Sequence, residues 1–109
     1  MTTTLLVLGQ SAPSATTLTT LYTVPGSTTA VVSTVVVANQ SATGTTFRIS
    51  VAVAGAADAL SQYIAYNVSI NGNETIGFTL GITMGATDVM RCYAAAATLT
   101  FSAFGQQNS

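Results

Sequence analysis

Only six side chains in this chain of 109 residues carry a charge or a thiol that could act in acid–base or nucleophilic chemistry. They are Arg48, Asp58, Glu74, Asp88, Arg91 and Cys92, and the sequence contains neither lysine nor histidine. General acid–base catalysis needs a group that titrates near neutral pH, and a nucleophilic serine needs a base beside it. Because no histidine or lysine can fill either role, we expect no enzymatic activity, no cofactor and no metal site.

The acidic residues and the cysteine have simpler structural interpretations. Asp58 and Asp88 each follow a loop that begins with Gly-Ala, where an aspartate typically accepts hydrogen bonds from the backbone of the turn. Cys92 is the only cysteine, so it cannot form a disulfide within the chain. We expect it to be a small buried hydrophobic residue of a strand.

The scarcity of charge excludes several classes of partner. Charged residues are 5% of the chain, against about 25% in an average soluble domain. With two arginines as the only cations, we expect no nucleic-acid binding.

The longest apolar stretch, residues 30–38, is too short to cross a membrane, and the first residues lack the pattern of a signal peptide. We therefore expect no membrane contact.

The elements that position these residues are predicted to be short β-strands. Threonine (20 residues) and alanine (17 residues) are abundant, and short β-forming runs alternate with turn residues. The pattern predicts one all-β domain over residues 1–109, an antiparallel two-sheet sandwich of about eight strands, either jelly-roll-like or immunoglobulin-like. Residues 1–15 are expected to form an N-terminal strand or arm, and residues 105–109 a loose tail. The Asn71-Gly72 turn predicts a hairpin.

One predicted strand, residues 28–38, is apolar on both sides, which suggests contact with another subunit. Strict alternation places Val31, Val35 and Val37 on one face, and we expect these three to form an interface. Arg48 and Arg91 are added to this predicted interface, because Arg48 is expected to pair with Glu74, with Asp88 or with an acid of a neighbouring subunit. A sheet protein with so little charge is also prone to associate. We expect a homo-oligomer, a trimer being one arrangement.

Several stretches of the sequence resemble a known group of proteins. They are Leu8–Pro13, Leu21–Pro25, Thr46–Val51, Leu80–Thr83 and Ala86–Val89. They are similar to small Ala/Thr-rich β-sandwich structural proteins of tailed bacteriophage virions. The resemblance implies a virion component that is assembled in the host cytoplasm. It further implies a capsid decoration (cement) protein bound to the major capsid protein, or else a tail or fibre component bound to tail proteins.

A second function remains open from the residues alone. A carbohydrate- or receptor-binding module, as on a fibre tip, would present exposed aromatic rings beside polar side chains. This alternative predicts that Tyr63, Tyr66 or Tyr93 lies exposed in a groove near asparagine and aspartate residues.

Overall fold

The computed structural model describes residues 2–109, and in that range it contains nine β-strands and no α-helix. In chain order the strands are β1 (Thr3–Ser11), β2 (Thr19–Thr23), β3 (Thr29–Asn39), β4 (Thr45–Ala52), β5 (Tyr63–Ile70), β6 (Thr75–Phe78), β7 (Ile82–Met84), β8 (Val89–Ala94) and β9 (Leu99–Asn108). Two short 3-10 turns, Val53–Gly55 and Leu60–Gln62, lie between β4 and β5. The strands form two antiparallel sheets, which confirms the predicted all-β sandwich.

The strand order is that of a jelly roll. One sheet has the order β1-β9-β3-β6, with β7 also paired to β3, and the other has the order β2-β8-β4-β5. Strands are thus matched from the two ends of the chain inward: β1 pairs with β9, β2 with β8, β3 with β6 and β7, and β4 with β5. When this series of antiparallel pairs folds over on itself, β3 also pairs with β9 and β4 with β8. The result is two packed sheets.

The core lies between the five-stranded and the four-stranded sheet. Phe47 of β4 occupies its centre, with ring contacts to Phe78 and Phe101 at centroid distances of 5.9 and 6.0 Å. Both contacts are edge-to-face, the arrangement favoured by the ring quadrupole. Valine, isoleucine, leucine and methionine side chains from both sheets complete this core. The apolar residues that alternate along the strands therefore meet here, which leaves the remaining positions for the two outer faces.

A β-bulge in β3 reverses the predicted faces of that strand. The register with β9 shifts between Val32 and Thr34, so Ser33 is an extra residue and the side chains after it change sides. Val35 and Val37 are consequently buried in the core of the same chain, and the prediction that they form a subunit interface is wrong. Val31 precedes the bulge and is half-buried on the outer face, where Val36 joins it.

The C-terminal residues are not the loose tail that was predicted. Strand β9 extends to Asn108, and residues 105–108 pair with both β1 and β3. Gln107 also donates a hydrogen bond of 2.7 Å to the hydroxyl of Tyr22 across the sandwich. The segment is polar because it lies near the end of β9, where its side chains are only half-buried. The predicted N-terminal arm contains β1, an edge strand of the five-stranded sheet, and residue 1 lies outside the described residues.

The Asn71-Gly72 turn does not close a hairpin. β5 pairs with β4, whereas β6 pairs with β3 in the opposite sheet, so the turn carries the chain across the sandwich. Loop residues hold it in place: the Asn39 side-chain amide donates to the Asn71 carbonyl at 3.1 Å, and the Ser41 carbonyl accepts from Asn73 at 2.8 Å. The predicted hairpin is therefore replaced by a crossing between sheets.

Candidate interaction surfaces

The few charges are concentrated on one side of the sandwich. Arg48 and Arg91 lie in β4 and β8 of the four-stranded sheet, and Asp58 and Asp88 lie in loops that bond to that sheet or to the turn beside it. Glu74 lies in the β5–β6 crossing, where its carboxylate accepts from the Asn71 backbone at 2.9 Å. The strands of the five-stranded sheet contain no charged residue. The two outer faces of the molecule therefore differ in chemistry.

The outer face of the five-stranded sheet is apolar at the end formed by the first half of β1. We call this surface the apolar face; it comprises Leu5, Val7, Val31 and Phe104 at that end, and Val36 further along β3, opposite Ser102. The register places Leu5 and Val31 on either side of Gln106, and Val7 beside Phe104. Leu5 is 77% exposed and Val7 is 50% exposed. An uncharged face with such exposed side chains is typical of a surface that contacts another protein.

The apolar face is most exposed along its β1 edge, at Leu5 and Val7. A groove in it is lined by Leu5, Leu6, Val31, Ser33, Phe104, Gly105 and Gln106. At the opposite edge, a methyl group added to Gly77 would meet no other atom within 4 Å. Gly77 lies beside Val36 in the ladder, so the bare strip adjoins the apolar side chains. The open groove and the bare strip leave room for a flat protein partner on this face.

The outer face of the four-stranded sheet carries a cluster of aromatic rings around Arg48, which we call the tyrosine–arginine cluster. The guanidinium carbon of Arg48 lies 4.3 Å from the centre of the Tyr66 ring and 4.5 Å from that of Tyr93. Its Nε donates a hydrogen bond of 2.8 Å to the side-chain oxygen of Asn67. Tyr63 completes the cluster, with its ring centroid 5.1 Å from that of Tyr66. Arg48 therefore does not form the predicted pair with Glu74 or Asp88.

The backbone of β5 is bent to place Asn67 beside this arginine. Asn67 has a φ of 52° within the strand, and the register with β4 shifts between Phe47 and Ile49 at the same level. A left-handed residue inside a strand is unusual, although asparagine tolerates it better than most residues. The resulting bulge turns the Asn67 side chain toward Arg48 and fixes the guanidinium against both rings.

Tyr63 connects the cluster to the loop before β5. Burial raises the pKa of the Tyr63 hydroxyl. Asp58 raises it further, because its carboxylate accepts a hydrogen bond that only the protonated phenol can donate and because it repels a phenolate. The Asp58 carboxylate therefore interacts with an aromatic side chain. Tyrosine, asparagine and aspartate side chains therefore lie close together on this face, which is one part of the arrangement that the second functional hypothesis predicts.

The Arg91 side chain forms hydrogen bonds within its own chain. Its Nη1 and Nη2 donate to the carbonyl oxygens of Ala56 and Gly55 at 2.9 and 3.3 Å. Asp88 supports the same loop, because its carboxylate accepts from the Ala54 N–H at 2.9 Å. Ala54 and Gly55 both have positive φ angles, so this turn needs such external support. Arg91 holds the loop after β4, and the prediction that it contacts another subunit has no support in this geometry.

The buried nucleophilic groups do not form a catalytic arrangement in the described part of the chain. Cys92 is fully buried, and burial raises the pKa of its thiol to about 11, so the reactive thiolate is scarce at neutral pH. The hydroxyl oxygen of Ser50 is buried without a hydrogen-bond partner on the four-stranded sheet. Its cross-strand neighbours, Arg91 and Tyr63, are both bonded elsewhere. Neither group is thus activated by a neighbouring base.

Residues 2–109 hold no cluster of metal-ligating side chains and no membrane-spanning helix. No group of three or more histidine, cysteine, aspartate or glutamate side chains is placed to hold a metal ion. None of the helices in this range is long and apolar enough to cross a membrane.

No protein family, curated protein or solved structure matches this chain. Function is therefore inferred from the two surfaces. Sequence reasoning singled out Arg48 and the tyrosines of the cluster, and it named Val31 of the apolar face. It missed Leu5, Val7 and Phe104 as members of one surface, because only the pairing of β1 with β9 brings them together.

Proposed function

We propose that this protein is a non-enzymatic structural subunit of a tailed-bacteriophage virion, and that it decorates the capsid by docking its apolar face on the major capsid protein. The observation that carries the proposal is the contrast between the two sheets. The five-stranded sheet has no charge in its strands and exposes leucine and valine side chains, while the charged residues lie elsewhere. A protein-covered face is where such side chains are stable.

The assembly context supports the same proposal. Burial of apolar area contributes about 25 cal/mol per Å² before the costs of association are subtracted. A face of this kind gives a modest contact, but many copies on one shell, joined to one another as a homo-oligomer, hold through avidity. The jelly roll is also a common architecture of viral capsid domains. Because fold alone does not determine function, the surface carries the proposal.

The proposal is tested by adding the purified protein to capsids that lack it and measuring the bound fraction by co-sedimentation. Val31→Glu places a charge in the apolar face. We expect its affinity for the capsid to be at least roughly ten-fold weaker, because a buried unpaired charge is costly. Thr20→Glu, on the exposed part of β2, is the matched control and should bind like the wild type. Equal binding by both variants, or no protein in purified virions at a copy number that fits an icosahedral shell, would refute capsid decoration.

A second candidate function is favoured by the tyrosine–arginine cluster. Tyr66 is 48% exposed, and Asn67 is exposed beside it on the outer face of the four-stranded sheet. Aromatic rings that stack on sugars and planar polar groups that bond to hydroxyls are suited to a glycan ligand. In this alternative the protein is a tail or fibre component that binds a carbohydrate receptor. A glycan array with wild-type protein and Tyr66→Ala tests it: signal that the variant loses supports it, and an array without signal rejects it.

A further inference from the structure

The outer edge of β1 carries backbone groups that β9, its partner within residues 2–109, does not bind. At the start of the ladder Thr2 and Ser109 exchange both backbone hydrogen bonds, at 2.6 and 2.9 Å. In an antiparallel pair, every second residue bonds to the partner strand and the residues between them point the other way. Thr3, Leu5 and Val7 are these intervening residues. Their N–H and C=O groups therefore point away from the sheet.

This part of the edge lacks the features that keep strands from pairing with other chains. Exposed edges are usually blunted by lysine, proline or a bulge, or are covered by a loop. Residues 3–7 contain none of these, and the bulge of β1 follows only after Val7. The second half of the strand is protected differently, because Gly9 lies directly against the Leu21 carbonyl of β2. The open segment is thus short, apolar and sharply bounded.

We propose that a second copy of this chain covers this edge, with the two β1 strands antiparallel about a two-fold axis at Leu5. In this register Leu5 pairs with Leu5 of the second copy, and Thr3 pairs with Val7. All three residues with outward groups then exchange both hydrogen bonds with their counterparts. The five-stranded sheets of the two copies join into one continuous sheet.

The edge is compatible with an identical partner in charge and in side-chain chemistry. The five-stranded sheet has no charged residue in its strands, so two copies meet without like-charge repulsion. The exposed Leu5 side chains of the two copies pack against each other on the apolar face. Because only a few residues of each copy take part, the dimer forms in a concentration-dependent way, as small interfaces do. The homo-oligomer is then a two-fold dimer and not a trimer.

Disulfide trapping tests both the partner and the register. In the proposed pair the two Leu5 Cα atoms lie about 5.5 Å apart, within the range that a disulfide spans. Leu5→Cys should therefore give a covalent dimer on mild oxidation. Val7→Cys is the matched control, because the two Val7 positions lie about 14 Å apart along the strands. Cys92 is present in both variants and is buried, so it does not contribute to cross-linking.

We expect roughly ten-fold more covalent dimer from Leu5→Cys than from Val7→Cys, given these separations. Equal cross-linking of the two variants, or none in either, would overturn the proposed pairing. As a second measurement, sedimentation of the wild type should show a dimer fraction that rises with concentration, and Leu5→Lys should remain a monomer. A Leu5→Lys protein that dimerises like the wild type would also overturn it. The capsid-binding assay uses Val31 on the face, so it fails or succeeds independently of this edge.

Discussion

The guanidinium of Arg48 stacks on the ring of Tyr66 at 4.3 Å, on the outer face of the four-stranded sheet. Tyr93 lies at a similar distance, and the side-chain oxygen of Asn67 accepts the Nε hydrogen bond. The positive charge is thus held by aromatic rings and a neutral amide. This differs from the ion pair that the sequence suggests, and the two arrangements respond differently to salt.

Removal of the Arg48 guanidinium should cost stability that salt does not remove. We expect Arg48→Met to lower the free energy of unfolding by about 1 kcal/mol, from the lost cation–π contacts and hydrogen bond. A double-mutant cycle with Tyr66→Leu, measured by urea denaturation, should give a coupling of about 0.5–1 kcal/mol. An exposed ion pair would lose its coupling at high ionic strength. A coupling that vanishes in salt would therefore contradict the stacked geometry.

Val35 and Val36 are neighbours in β3 but face opposite sides of the sheet, and their substitutions should differ accordingly. Val35 is 1% exposed in the core, whereas Val36 is half-buried on the apolar face. We expect Val35→Ala to lower the free energy of unfolding by about 2 kcal/mol, because it leaves a cavity. Val36→Ala should cost about 0.5 kcal/mol, as at most surface positions. The reverse order in chemical denaturation would mean that the strand lacks its bulge.

These two valines also show how far the sequence predicts the fold. Alternation of apolar residues correctly indicates a β-sandwich, because the period of two holds within each strand. It cannot place Val36 on the outer face, because the bulge at Ser33 is set by pairing with β9, a strand distant in sequence. The hairpin prediction at Asn71-Gly72 is wrong for a similar reason. A turn signal is local, but whether β6 returns to β5 or crosses to β3 is decided by the free edge of β3.

The candidate surfaces are predictable to different degrees. Arg48 is recognisable as a rare cation in the middle of a strand, and Tyr66 and Tyr93 as aromatic residues of neighbouring predicted strands. Their stacking depends on the β4–β5 and β4–β8 pairings, which no local pattern encodes. The apolar face needs even more of the fold, because Val7 and Phe104 are brought together from the two ends of the chain. The residue types of a surface can therefore be recognised in the sequence, whereas their spatial arrangement depends on the strand pairing.

Gly9 and Gly77 should tolerate a methyl group very differently. A Cβ at Gly9 would overlap the Leu21 carbonyl oxygen, whereas a Cβ at Gly77 meets nothing within 4 Å. We expect Gly9→Ala to lower the thermal midpoint, at a cost of about 1–3 kcal/mol for the overpacked contact between β1 and β2. Gly77→Ala is the matched control and should be neutral, or more stable by about 0.5 kcal/mol. Equal stability of the two variants would contradict the close approach of β1 to β2.

The buried thiol of Cys92 should make the protein less stable in alkaline solution. Burial raises its pKa from 9.0 to about 11, so the folded protein holds the thiol proton more tightly than the unfolded chain does. A group with a raised pKa contributes its full stability below the unfolded pKa and loses it as the pH rises toward the folded value. The free energy of unfolding should therefore fall between about pH 9 and pH 11.

Substitution of Cys92 separates this effect from other alkaline transitions. The raised pKa of Tyr63 acts in the same direction, but its tyrosine hydroxyl titrates at higher pH in the unfolded chain. Cys92→Ala should lower stability at neutral pH because it leaves a small cavity, and it should also flatten the decline that begins near pH 9. Urea titrations of both proteins across this pH range measure the difference. Parallel curves for wild type and variant would show that the thiol is not buried as described.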